Sequence, residues 1–205
     1  MKRIVFTLLT TCSCLSVFSQ SDWKDKVSNL AKHTFTPALE IGYVWNDSRE
    51  LLNSIMFKGA AEYRFNNLRG PLIRGNYDTY YAKYQINNLN NLARIVKGTA
   101  FFSDIMLGGG YRIGNLRHRC FGLLQGGVKW YDYPEVSESA NTIEIRMENQ
   151  FAATGRVTLG YEFYVNERSA FTLEGMHSRV FEQKHYWKED GGSWALSFGF
   201  TTSLN

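Results

Sequence analysis

Glu174, His177 and Ser178 are the acid, base and hydroxyl types that a serine nucleophile and its activating partners require. Their spacing works against that use. In an extended segment, adjacent residues point to opposite faces, so His177 and Ser178 meet only across a bulge. Metal chemistry has no better footing, because His33, His118, His177 and His185 are scattered without the paired spacing of a ligand set. The run Gly108-Gly109-Gly110 is followed by no Walker lysine, and close strand packing or a bend explains it better than phosphate binding. The expectation is a chain without catalytic residues, metal or cofactor.

The chemistry that the sequence does carry is ionic. Glu40, Lys58, Glu62, Arg64, Arg74, Asp78, Asp104, Arg112, Lys129, Arg156, Glu162 and Glu174 fall on one phase of segments whose other phase is uncharged and largely apolar. Gln125, Asn76, Met56, Tyr80, Met106 and Tyr131 share the charged phase. Six of the twelve charges are acids and six are bases. Such a balance is accidental on a solvated face, but it is required inside a narrow, dry enclosure where an unpaired charge is very costly. The arginines suit bidentate pairing with carboxylates.

The elements that position these charges are strands of period two. Trp194, Leu196, Phe198, Phe200, Thr202 and Leu204 alternate with Ala195, Ser197, Gly199, Thr201 and Ser203, and seven earlier segments alternate likewise. Three connections are short and polar, at 66–70, 114–118 and 165–168. Four others, near 46–53, 84–98, 132–149 and 182–192, are longer. Aromatics gather at both ends of the apolar phase: Tyr63, Phe65, Tyr111, Tyr161, Phe163 and Phe200 toward the short turns, and Tyr43, Trp45, Trp130 and Trp194 toward the long connections. Short turns on one side, long loops on the other and two aromatic girdles around an uncharged belt are the pattern of a transmembrane barrel.

In strand pattern, turn order and closing strand, residues 35–205 resemble the small eight-stranded outer-membrane β-barrels of the OmpA/OmpX-like superfamily. The resemblance implies an all-β, antiparallel barrel in a Gram-negative outer membrane, lipid around it, and both ends of the barrel in the periplasm. Such chains often end on an aromatic, whereas this one ends Ser203-Leu204-Asn205. Some barrels of this kind modify lipid A, but the lipid A deacylases set histidine and serine two apart on one face, a pattern absent here.

The chain has 205 residues, 44% hydrophobic and 15% aromatic, with a mean hydropathy of −0.31, enough for one domain. No apolar run reaches the roughly 18 residues of a spanning helix. Residues 1–19 have the layout of a secretory signal, with Lys2 and Arg3 ahead of an apolar core and Val17-Phe18-Ser19 before a cut at Gln20 or Ser21. Its removal lowers the formal charge from +4 to +2, too little to argue for nucleic acid. Only Cys120 survives it, so no internal disulfide is expected. Within 20–34, Trp23, Val27, Leu30 and Ala31 share one helical face, which predicts a short amphipathic helix at the interface, similar to the one that precedes the barrel of lipid A palmitoyltransferases.

One long connection continues a strand. Ile143, Ile145 and Met147 keep the outward phase of the sixth segment and Glu144, Arg146 and Glu148 the inward phase, predicting a strand from about 142 to 164. That exceeds the roughly 9–11 residues that a bilayer needs. The excess would stand above the membrane with an apolar stripe suited to contact with an envelope partner. The expected function is a non-enzymatic scaffold, adhesion or envelope-assembly role through the loops, with an ion-paired, plugged lumen. A narrow porin-like channel, a lipid A-modifying enzyme and a soluble lipid-carrying barrel are the alternatives.

Overall fold

A computed structural model describes residues 33–66, 68–87, 95–139, 142–181 and 191–204. The expected signal at 1–19, nearly all of the expected helix at 20–34, and His185 lie outside the described residues. Thr34, placed at the end of that helix by sequence, instead opens the first strand.

Eight antiparallel strands close into a ring: β1 (Thr34–Asn46), β2 (Ser54–Arg64), β3 (Gly70–Asn87), β4 (Ile95–Gly114), β5 (His118–Ser139), β6 (Thr142–Tyr164), β7 (Ser169–Val180) and β8 (Gly192–Thr202). Each strand pairs with its neighbour in sequence, and β1 pairs with β8 from Ala38↔Thr201 to Asn46↔Ser193. The Leu204 N–H, donating to the Phe35 carbonyl at 2.8 Å, carries the closure one step further. Closure leaves no free edge along the body of the barrel, which is what lets strands face lipid.

The three short turns share one device. Asn66 Oδ1 accepts from the Leu68 N–H, Asn115 Oδ1 from Arg117 and His118, and Asn166 Oδ1 from Arg168 and Ser169, at 2.8–3.0 Å. An asparagine that bonds its own backbone two residues on makes a tight reversal. These turns, Thr34 and Leu204 all lie at one end of the barrel, here called the turn end.

Burial along the strands is inverted relative to a soluble sheet. Leu39 is 76% exposed and Leu124 70%, while Glu162 and Glu174 are wholly buried. The outer belt is lipid-facing in character and the interior polar. Above it, the connections expected near 84–98 and 132–149 prove to be mostly strand, since β3 runs to Asn87, β4 begins at Ile95, and β5 and β6 pair as far as Ser139↔Thr142. Neighbouring β4 and β5 part company at Phe102↔Tyr131, where the Asp132 carboxylate accepts from the Phe101 N–H at 3.2 Å. Two hairpins, β3–β4 and β5–β6, therefore rise separately from the other end, the hairpin end.

Candidate functional site: a charged lumen and a projecting hairpin

All twelve charged residues of the inward phase lie inside the barrel, each 5% exposed or less. The closed ring brings them together from strands far apart in sequence, and they form two separate networks. Toward the turn end, Lys58 joins Glu40, at 3.1 Å, to Glu174. Arg74 joins Glu174 to Glu62, the latter at 2.7 Å. Arg64 and Arg112 both join Glu62 to Glu162, each reaching Glu162 at 2.9 Å. Nearer the hairpin end, Arg156 joins Asp78 to Asp104, the latter at 2.8 Å, and Lys129 reaches Asp104 at 3.0 Å. The first network holds four carboxylates and four cations, the second two of each. Among the described residues these ion pairs balance within each network, as a low-dielectric enclosure favours.

Neutral groups also pack into the lumen. Phe121 lies under the Arg74 guanidinium at 4.5 Å, Ser197 donates to Glu40, and Gln125 donates to the Arg74 carbonyl at 3.3 Å. Above the second network, Tyr80, Phe102 and Tyr131 stack at 4.9 and 6.3 Å between centroids, in a cluster with Met56, Ala82, Ala100 and Met176. The lumen is therefore ionic toward the turn end and apolar toward the hairpin end.

Sequence reasoning missed a thirteenth buried charge. Arg119 is 1% exposed, with its guanidinium 3.7 Å over the Tyr164 ring and its Nε donating to the Asn115 carbonyl at 3.3 Å. It shares the phase of Gln125 and Lys129, but its place beside the 114–118 turn hid it. Arg119 and Tyr164 line an open recess of about 340 Å³ at the turn end, with Leu116, Arg117, Phe163 and Glu167.

The serine triad does not assemble. Ser178 faces the lumen, where its Oγ accepts from Arg156 Nε at 2.8 Å, and Glu174 is engaged by Lys58 and Arg74. His177 faces outward, its ring 4.3 Å from that of Trp194. The strand is regular here, with Val157↔His177 and Arg156↔Ser178 paired in turn, so no bulge turns the two side chains together.

The girdle residues stand on the outer face in two bands. Toward the turn end, Tyr63 contacts Phe65 at 5.2 Å, Tyr161 bonds His118, Tyr111 and Phe163 are exposed, and Phe200 packs on Phe171. Toward the hairpin end, Tyr43 meets Trp45 at 4.9 Å, Trp45 pairs with Trp194, and Trp130 stacks on Phe151 at 5.6 Å.

Above that second band the hairpins differ. On β3–β4 the inner positions Ala82, Tyr84, Val96 and Ala100 are buried and the outer positions Lys83, Gln85, Lys97 and Thr99 are exposed, as on a sheet in water. On β5–β6, Glu144, Ile145, Arg146 and Met147 are all exposed, at 45% for Ile145 and 43% for Met147. The two hairpins meet at their base, where the Tyr84 hydroxyl lies 3.8 Å from Met147 Sδ and Tyr133 packs on the cluster that holds Tyr84 and Val96. Burial holds the Tyr84 and Tyr133 phenols above their ordinary range, with Glu50 and Glu135 adding to the shift at Tyr133. Both thus remain neutral hydroxyls at the mouth.

No protein-family model and no curated protein matches the chain. Solved structures do. Ail, the attachment invasion locus protein of Yersinia pestis, solved in complex with the heparin analogue sucrose octasulfate, superposes with a TM-score of 0.53 at 14% identity, over 84% of this chain and 97% of that one. The outer membrane protein OprG of Pseudomonas aeruginosa superposes with a TM-score of 0.50 at 9% identity, over 86% and 97%. At these identities the likeness is one of fold, and the fold is that of the small eight-stranded outer-membrane barrels.

Proposed function

We propose that the protein is an integral outer-membrane barrel that serves as a non-enzymatic scaffold or contact component of the envelope, acting through the β5–β6 hairpin above a plugged lumen. In this reading the turn end faces the periplasm, the hairpin end faces outward, and outer-membrane lipid surrounds the belt between the girdles. The partner is a protein of the envelope or cell surface, and nucleic acid has no part in it.

One contrast within the molecule carries the reading. At similar height above the aromatic band, β3–β4 turns lysines and glutamine to water, whereas β5–β6 offers Ile145 and Met147. Lipid no longer explains an apolar outer face there, and a surface that meets another protein does. The plug is supported by the barrel's size, since eight strands leave room only for side chains, and by the ion pairs and stacked rings that occupy it.

The test is the triple variant Ile143→Ser, Ile145→Ser, Met147→Ser. It should retain the heat-sensitive gel mobility of the folded barrel while losing most of any envelope protein retained by the parent. Retention at the parental level would overturn the hairpin as the working surface.

A further inference from the structure

β6 carries a strand edge that no strand covers among the described residues. β7 pairs with it only to Thr154↔Val180, and one last bond, from the Phe181 N–H to the Ala153 carbonyl at 2.9 Å, ends that ladder. β6 nevertheless continues to Thr142, held on its other side by β5. Because Ala153 directs its carbonyl toward the β7 side and the direction alternates along a strand, Met147 and Ile145 direct both backbone groups to the open edge. Such an edge is a template for a further strand.

We propose that the edge pairs, antiparallel, with the same edge of a second copy of this chain, about a two-fold axis through Ile145. This rests on the hairpin reading above and names its partner. In an isologous pairing the residue on the axis fixes every other contact. An axis at Arg146 would set that arginine against its own copy and Glu144 against Glu148, and an axis at Glu144 would oppose two carboxylates. Like charges directly opposite one another are destabilising. An axis at Met147 pairs Arg146 with Glu148 but sets Ile145 against Asn149. With the axis at Ile145, each Arg146 stands opposite Glu144 of the other copy, while Ile145 meets Ile145 and Met147 meets position 143. The stretch Ile143-Glu144-Ile145-Arg146-Met147 is thus symmetric in polarity and antisymmetric in charge about its centre. Pairing with an unrelated chain requires no such symmetry.

The test uses the full chain in detergent micelles, with sedimentation mass followed against protein concentration for the parent, Arg146→Glu, and Glu144→Arg with Arg146→Glu. The parent should form a dimer, Arg146→Glu should weaken it about tenfold or more by opposing carboxylates twice over, and the exchanged pair should restore it. In a background with Cys12, Cys14 and Cys120 all changed to Ser, Ile145→Cys should be joined to itself by a short thiol-reactive cross-linker. A parent that stays monomeric at every concentration, with Ile145→Cys not cross-linked, would overturn the self-pairing. A dimer that the exchanged pair leaves as weak as Arg146→Glu would overturn the register. Either failure leaves the hairpin reading to its own test, in which a different protein is retained by the parent and lost from the triple serine variant.

Discussion

Glu62 is the best place to test whether the lumen is held by charge balance. One carboxylate serves three guanidiniums: Arg74 donates to Oε2 through Nε at 2.8 Å and Nη2 at 2.7 Å, and Arg64 and Arg112 both converge on Oε1. All four side chains are about 2% exposed or less. Glu62→Gln keeps the shape and removes the charge, leaving the three arginines to share Glu162 and Glu174. Breaking a buried pair by removing one partner typically costs about 3–5 kcal/mol. Adding Arg112→Gln restores neutrality in that network, so the double variant should be more stable than the sum of the two single losses implies, by about 1–3 kcal/mol. The assay is urea unfolding of the barrel in phospholipid vesicles, followed by tryptophan fluorescence. A Glu62→Gln loss below about 1 kcal/mol, or strict additivity of the two changes, would refute the balance argument.

The remaining predictions concern the belt, the packing and the plug. Leu124→Arg, in the middle of the lipid-facing band, should cost about 2–4 kcal/mol in the same titration, whereas Ile145→Arg on the hairpin should stay within about 0.5 kcal/mol; equal costs would place the hairpin in the membrane. A Cβ on Gly160 would lie 2.0 Å from the Phe121 ring, so Gly160→Ala should cost about 1–3 kcal/mol and Phe121→Leu should relieve part of it; an unchanged midpoint would refute that contact. In planar bilayers the barrel should show no stepwise conductance, and Glu162→Gln with Arg112→Gln should leave it silent, because Tyr80, Phe102 and Tyr131 still occupy the hairpin half. Reproducible openings altered by that pair would make the lumen a path.

The period of two was enough to find eight strands, the three tight turns and the inner phase, because lipid on one side and a buried polar interior on the other give each residue one of two sharply different surroundings. The rule fails where the lipid ends. Lys83, Gln85 and Lys97 on the outer face, with Tyr84 and Val96 inside, follow the ordinary soluble pattern, so a search for an apolar outer phase stops at Tyr81 and leaves the rest of the β3–β4 hairpin as loop. β6 was legible to its start because its outer phase stays apolar above the girdle, the same anomaly that singles it out for contact. Arg119 was lost to its neighbourhood, and which acid joins which base follows from the ring's closure, which no local spacing records.

The two networks also explain how a barrel this small can aim a projecting hairpin. Every strand contributes to the cross-lumen ties: Glu40 from β1, Lys58, Glu62 and Arg64 from β2, Arg74 and Asp78 from β3, Asp104 and Arg112 from β4, Lys129 from β5, Arg156 and Glu162 from β6, Glu174 from β7 and Ser197 from β8. β5 and β6, which go on to form the hairpin, are both fixed to the same Asp104 carboxylate through Lys129 and Arg156. Lys129 lies just below the level at which β4 lets go of β5, at Phe102↔Tyr131. A side-chain tie at the root of a two-stranded ribbon restrains its direction without adding contacts along its length. On this reading the charged interior, whose ion pairs tie β4, β5 and β6 together at Asp104, does mechanical work for the proposed contact surface.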